Sequence, residues 1–131
     1  MCTTFSILRN GETLLGRTMD LRSYHRYEFK YFPKDFNYEE DVFGNKLYTK
    51  YKIMGATFKD YDHLIDGINE KGLACGLTFV YPTVKNYGFN AGFLIRYILE
   101  KCETTQQAVD FLNKVPIGSS QNIIIIDRFR N

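Results

Sequence analysis

The sequence is poor in the residues that mark several large classes of protein. It has no tryptophan, three prolines and three cysteines, and no two cysteines form a CxxC pair. An odd number of widely spaced cysteines argues against a disulfide framework and a zinc site, and favours a reducing, cytoplasmic setting. No apolar run approaches the roughly 20 residues that a membrane span needs. Because polar residues begin at the third position, we expect no secretory signal peptide.

Neither sign of charge predominates, since 17 Lys and Arg stand against 15 Asp and Glu. This balance gives no reason to expect binding to nucleic acid or to a membrane surface. Hydrophobic residues are plentiful at 44%, and aromatic residues make up 16%. Such a composition is typical of a chain that folds around a core. We expect one domain over residues 1–131, a length that is enough for one domain and not obviously for two.

The first part of the chain has the pattern of β-strands. Residues 2–9 and 13–17 are rich in apolar and β-branched side chains, and Asn10-Gly11 lies between them. Asn and Gly both tolerate positive φ, so the pattern predicts an opening hairpin whose first strand begins at Cys2. Further strands are predicted at residues 29–32, 48–58 and 73–81.

A helical period replaces the strand pattern further along. Apolar residues of the segment 91–102 fall on one face of a helix. A second helix is predicted after Thr104, because Gln107 three residues later completes a capping-box pattern. Pro116 and Gly118 mark its end.

The last apolar segment is residues 122–127, NIIIID. Four successive isoleucines leave no polar face, which predicts a buried strand with neighbours on both sides. The sequence continues for only four residues beyond it. We therefore expect the domain to be C-terminally truncated and to associate, either as a homo-oligomer or with a missing C-terminal half.

A possible catalytic group lies at the start of the chain. An initiator Met is removed most readily before a small residue, which would leave Cys2 with both a thiol and a free α-amino group. That amine titrates near neutral pH and can act as a general base without a histidine. The hairpin brings Arg17 back towards Cys2, where its charge can favour the thiolate. Asp20 can orient the α-ammonium, although an ordinary surface Arg–Asp pair would look the same in the sequence.

Three ordered segments resemble the family of bile salt hydrolases and penicillin V acylases. They are MCTTF at the start, LLGRTMDL at 14–21 and DGINEKGLACGLTF at 66–79. The sequence is also similar to related acyltransferases that make penicillins by side-chain exchange, above all in SSQNIIIID at 119–127. The resemblance covers essentially the whole chain, but only the first part of a family member.

The resemblance implies an α+β fold, the four-layer αββα sandwich of N-terminal-nucleophile hydrolases, with this chain supplying about half. It implies hydrolysis of linear, non-peptide amide C–N bonds in a small-molecule substrate. Cys2 would be nucleophile and base, and Arg17 and Asp20 would be active-site residues. No metal or organic cofactor is needed.

The sequence departs from the bile salt hydrolases in the segment expected to bind substrate. There an asparagine helps to form the oxyanion hole, whereas the matching residue here is Thr78. The hydroxyl of Thr78 or a backbone N–H would donate to the oxyanion instead. The absence of the asparagine argues against bile salts as preferred substrates. Aromatic residues that could wall an acyl pocket include Phe79, Tyr81 and Tyr24.

Other interpretations remain open. Transfer of the acyl group to an amine would use the same thioester, and a non-catalytic fragment or pseudoenzyme would depend on the missing half. His25 and His63 lie outside the motifs and are expected at the surface or in loops. Cys75 and Cys102 are expected in the core. The segment 69–72 is expected to form a hairpin turn with no direct catalytic role.

Overall fold

A computed structural model describes residues 2–20, 26–40, 43–81 and 87–129. The elements in chain order are β1 (Cys2–Arg9), β2 (Glu12–Met19), β3 (Tyr27–Phe32), β4 (Asn37–Glu40), β5 (Lys46–Tyr48), β6 (Ile53–Phe58), β7 (Asp66–Asn69), β8 (Ala74–Phe79), α1 (Ala91–Lys101), α2 (Thr105–Leu112) and β9 (Gln121–Ile126). The sequence of strands, a helix pair and a further strand is the one predicted. Neither helix is long and apolar enough to cross a membrane, as far as the described residues go.

Strands β1 and β2 form the predicted hairpin as a two-stranded antiparallel sheet. Both turn residues have positive φ, 53° at Asn10 and 84° at Gly11, which is the geometry that matches the twist of the flanking strands. Cys2 lies opposite Met19, and Arg17 lies opposite Thr4. Because side chains alternate between faces along a strand, these four residues share one face of the hairpin.

A five-stranded antiparallel sheet has the order β3-β6-β7-β8-β9. Helices α1 and α2 pack against it, and the hairpin packs against β8 and β9. The two packings are on opposite faces: a Cβ at Gly67 would meet Leu99 of α1, whereas one at Gly76 would meet Arg17 of β2. The described residues therefore form three layers, namely helices, five-stranded sheet and hairpin.

The hydrophobic core lies between the helices and the five-stranded sheet. Its buried residues are Phe32, Ile53, Leu64, Leu73, Cys75, Ile95, Ile98, Leu99, Cys102 and Ala108. Cys75 and Cys102 are thus core residues, as predicted. Burial raises the pKa of both thiols, so neither is a good nucleophile.

The predicted cap of α2 and the predicted turn are present, and α1 has a cap that was not predicted. Asn90 Oδ1 accepts from Phe93 N at the start of α1, and Thr104 Oγ1 accepts from Gln107 N at the start of α2. Between β7 and β8, the Asn69 side chain accepts from the Lys71 and Leu73 amides and donates to the carbonyls of Leu99 and Cys102. With its amide saturated in this way, Asn69 fastens the turn to the C-terminal end of α1.

The prediction of one strand over residues 48–58 was wrong. Strand β5 ends at Tyr48 and β6 begins at Ile53. Between them Thr49 is buried, its hydroxyl donates to the Pro33 carbonyl, and its backbone N–H donates to Phe36. These bonds to the loop after β3 replace a strand ladder and turn the chain, which an apolar and β-branched pattern does not reveal.

Strand β9 was predicted to need neighbours on both sides, not all of which this sequence supplies. It lies at the edge of the sheet, and within the described part of the chain it pairs with β8 alone. Ile126 is buried, while Ile123, Ile124 and Ile125 are partly buried. The strand and its lack of a second strand neighbour among the described residues are therefore both as predicted.

Candidate active site

A cavity of about 220 Å³ lies between the start of the hairpin and the N-terminal end of α1. Three side chains of the hairpin's inner face line it: Cys2, Arg17 and Met19. The other walls come from the large sheet, the connection between β6 and β7, α1 and the residue before it: Phe58, His63, Ile65, Leu77, Phe79, Asn90, Ala91, Gly92 and Gln121. The cavity thus places a partly exposed thiol and a cation against mainly apolar walls.

Arg17 is fixed by two strands of the large sheet. Its Nη1 donates to Asp66 Oδ2 at 2.5 Å, and its Nε donates to the Leu77 carbonyl at 2.7 Å. The Arg17 side chain is only 7% exposed and that of Asp66 25%. The guanidinium is therefore held beside the cavity by charge-assisted bonds.

Sequence reasoning missed Asp66 as the partner of Arg17. It begins the DGINEKGL segment, so its place in a motif was the signal available. The pairing itself joins residues 49 positions apart, and only the packing of the hairpin on the sheet brings them together.

The predicted catalytic residues do not all meet at the cavity. Cys2 and Arg17 both line it. Asp20 follows β2 directly and is exposed, and it is not among the described residues of the cavity wall. The catalytic roles of all three stay predictions.

The predicted substrate-binding residues are similarly divided. Phe79 lines the cavity. Tyr81 is 85% exposed and meets the Phe79 ring edge-on, with centroids 6.4 Å apart. Thr78 is buried and, two positions from Gly76 on the same strand, lies on the hairpin side of the sheet, but it is not among the described residues that line the cavity. Tyr24 lies outside the described residues, as does His25.

His63 lines the cavity although it belongs to no motif. As expected it lies in a loop, but it is partly buried, and its ring packs edge-on against Tyr61 with centroids 4.9 Å apart. A Cβ at Gly92 would come within 2.4 Å of the imidazole, so the glycine makes room for the ring. Burial lowers the pKa of His63, against the opposing effect of Asp62, which favours the neutral imidazole.

One further polar group of the cavity wall was also missed. Gln121 lines the cavity, and its Oε1 is buried without a hydrogen-bond partner in the described structure. The described residues contain no group of three or more His, Cys, Asp or Glu that could hold a metal ion.

Comparison with known proteins identifies the family. The family model described as acyl-coenzyme A:6-aminopenicillanic acid acyl-transferase matches residues 8–131. The chain belongs to this acyl-transferase family. A curated relative, the bile salt hydrolase/transferase of Clostridium perfringens (strain 13 / Type A), is 32% identical over 139 residues. That alignment covers 94% of this chain and 42% of the relative.

Solved structures show which fold this member of the acyl-transferase family has. The C2A mutant of conjugated bile acid hydrolase from Clostridium perfringens matches 99% of the chain with a TM-score of 0.72 and 22% identity, and 46% of that protein is covered. Penicillin V acylase from Agrobacterium tumefaciens matches 98% with a TM-score of 0.75 and 22% identity, and 43% of it is covered. The chain therefore has the expected N-terminal-nucleophile hydrolase fold and spans less than half the length of these proteins.

Proposed function

We propose that the protein containing this chain hydrolyses linear, non-peptide amides, with Cys2 as an N-terminal nucleophile after loss of Met1. The observation that carries the proposal is the cavity that Cys2 shares with the buried Arg17. The relatives support it, because their names are those of a bile salt hydrolase/transferase and a penicillin V acylase. The two other cysteines are buried in the core and are not competing nucleophiles.

In the proposed reaction the Cys2 Sγ attacks the amide carbonyl carbon while the α-amino group accepts the thiol proton. A tetrahedral oxyanion forms, and the same amine returns the proton to the leaving nitrogen as the C–N bond breaks. Water then attacks the thioester, which releases the acid and restores the thiol. Arg17 favours the thiolate, and Asp20 orients the amine. Thr78 or a backbone N–H of its segment stabilises the oxyanion.

The cavity favours an apolar or aromatic acyl group. Phe58, Ile65, Leu77 and Phe79 give it apolar walls, and Thr78 stands where the resemblance to bile salt hydrolases predicts an asparagine. We therefore rank penicillin V and N-acyl amino acids ahead of conjugated bile salts. A substrate panel in which conjugated bile salts are turned over fastest by a wide margin would contradict this ranking.

Full activity, we propose, needs a C-terminal portion beyond these 131 residues, in one domain or as an associated chain. The hairpin side of the large sheet exposes a cluster of apolar side chains: Phe29, Tyr31, Met54 and Ile68. Such a patch on a sheet invites association. Size-exclusion chromatography with an amidase assay tests the idea, and a fully active monomer of 131 residues would refute it.

The predicted location of the protein remains the cytoplasm, because its three cysteines are free.

Acyl transfer is the second candidate function. The matching family is described as an acyl-transferase, and the curated relative is named a hydrolase/transferase. The same thioester would form, and an amine would replace water as the group that attacks it. Product analysis with and without an added amine such as 6-aminopenicillanic acid distinguishes the two, because transfer predicts that the N-acyl amine replaces the free acid.

The test of the primary proposal uses the longest natural form of the protein that contains this chain. Intact mass should show that Met1 is absent, and iodoacetamide should label Cys2 and block hydrolysis of penicillin V. Thr3→Ala changes an exposed residue next to Cys2 and leaves the thiol in place. It is the control variant, in which Cys2 should still be labelled. Retention of Met1, or labelling confined to Cys75 and Cys102, would refute the mechanism.

A further inference from the structure

Arg17 lies between two cavities of the molecule. One is the cavity that contains Cys2, and the other, of about 810 Å³, lies between the hairpin and strands β7 and β8. Arg17 lines both, Cys2 lines only the first, and Asp66 lines only the second. Arg17 therefore lies between Cys2, in the first cavity, and Asp66, in the second.

We propose that Asp66 is a positioning residue, which holds the guanidinium of Arg17 beside Cys2 and acts on the reaction only through Arg17. This inference rests on the proposed function of Cys2. Its geometric basis is the 2.5 Å bond from Arg17 Nη1 to Asp66 Oδ2. A single ion pair on an exposed surface would carry little weight, but here the Arg17 side chain is 7% exposed.

The Asp66 carboxylate is itself anchored. Its Oδ1 accepts from the Ala56 backbone N–H at 3.2 Å, which ties it to strand β6. Arg17 Nε donates to the Leu77 carbonyl of β8 at 2.7 Å. The guanidinium is thus held at two of its nitrogens by three neighbouring strands, so its position is set by the sheet and not by the hairpin alone.

Gly76 provides the space for this pair. It is the cross-strand partner of Asp66, and a Cβ at Gly76 would lie 3.3 Å from Arg17 Cδ and 3.4 Å from Asp66 Cβ. Because Gly76 has no side chain, the aliphatic part of Arg17 can pack directly against the backbone of the sheet at this position. The chain therefore brings a carboxylate, an arginine and a glycine together at one point of the sheet.

Three roles for Asp66 predict three different results for Cys2. If Asp66 positions Arg17, its loss lets the cation leave the cavity, and the thiolate of Cys2 becomes harder to form. If Asp66 acts only as a distant negative charge, its loss makes the thiolate easier to form. If the ion pair only fastens the hairpin to the sheet, stability changes and the thiol does not.

The experiment measures alkylation of Cys2 by iodoacetamide as a function of pH in Asp66→Asn, using the longest natural form of the protein. Peptide mass mapping separates Cys2 from the buried Cys75 and Cys102. We expect the pH of half-maximal alkylation to rise by about one unit, which is about tenfold slower reaction below the midpoint. Asp110→Asn, on the exposed side of α2, is the matched control and should be unchanged.

A fall in the midpoint, or no shift in a folded Asp66→Asn protein, would overturn the proposal. If Asp66→Asn does not fold, Asp66→Glu provides the test, because it retains the charge and displaces the carboxylate by one methylene. The midpoint should then rise by less than one unit, and an unchanged profile would overturn the positioning role.

The double variant separates this inference from the proposed function. In an Arg17→Leu background, Asp66→Asn should cause no further shift, since there is no guanidinium left to position. An unaltered profile in Arg17→Leu itself would refute the role of Arg17 in the mechanism. A shift in Arg17→Leu without one in Asp66→Asn would refute the role of Asp66 alone.

Discussion

The two faces of the five-stranded sheet differ in how completely they are built. On the helix side, Ile95, Ile98 and Leu99 are fully buried against the strands. On the hairpin side, Phe29 is 82% exposed although it lies on a central part of its strand. The helix side is a well-packed core. The hairpin side carries the Arg17–Asp66 ion pair and exposed apolar groups, and the Cys2 cavity lies at the start of the hairpin.

The difference also separates the three thiols by reactivity. Cys75 and Cys102 are closed into the helix side, where burial raises the pKa of each. Cys2 lies at the start of the hairpin, partly exposed and with a cation in the same cavity. Packing thus explains inert cysteines on one side and permits a nucleophile on the other.

The largest expected effect tests this separation directly. Cys2→Ala should lower amidase activity by more than about 10³-fold, because no other group can form the thioester. Cys75→Ala should retain activity and lose only stability, since it removes a core sulfur. Steady-state assays with penicillin V measure both. Comparable losses of turnover in folded Cys2→Ala and Cys75→Ala would show that catalysis does not depend on the hairpin side alone.

The second prediction compares stability across the sheet. Leu99→Ala should lower the free energy of unfolding by about 2–5 kcal/mol, because it opens a cavity in a fully buried site. Ile7→Ala, on the hairpin at 47% exposure, should cost less than about 1 kcal/mol. Urea unfolding followed by circular dichroism measures the difference. An Ile7 cost equal to that of Leu99 would reveal that the outer face of the hairpin, on which Ile7 lies, is covered in the native protein.

The third prediction concerns the cavity wall. Phe79→Ala should reduce kcat/KM for penicillin V about tenfold, since it removes an apolar contact from the acyl group. Tyr81→Ala is the matched control, because Tyr81 is an aromatic residue two positions on that is 85% exposed. The kinetic ratio between the variants is the measurement. Equal losses would remove Phe79 from the proposed acyl pocket.

Local features of the fold were predictable because short-range chemistry determines them. Asn10-Gly11 supplies the positive φ values of the hairpin turn, and Thr104 and Gln107 supply the cap of α2. The short strand β7 was missed because its four residues, DGIN, carry little strand propensity. Its place in the sheet depends on pairing with β6 and β8.

The site was predictable only where a motif marked it. Cys2 and Arg17 could be named from their spacing and the family resemblance, and they share a cavity. The partner Asp66 and the wall residues His63 and Gln121 could not, because the contacts arise from packing between elements far apart in sequence. Long-range pairing decides such contacts, and it has no local pattern to read.

The smallest predicted effect is a pH dependence of stability from His63 at the cavity. Burial holds the pKa of its imidazole below the ordinary value in the folded state, so the unfolded chain binds the proton more readily. The contribution of neutral His63 to stability is therefore complete above the unfolded pKa of about 6.5. It is lost as the pH falls from there through the lower folded value.

His63→Gln should remove this term, so its stability should fall less than that of the parent between pH 7 and pH 5. Urea unfolding at both pH values measures it, and a second variant, Asp62→Asn, sharpens the result. Asp62 raises the pKa of His63 against the effect of burial. Removing its charge should therefore increase the stability that His63 loses between pH 7 and pH 5. That contribution is measured as the difference in acid-induced stability loss between Asp62→Asn and the double variant with His63→Gln. If His63→Gln and the parent lose equal stability, the imidazole at the cavity is as easily protonated in the folded chain as in water.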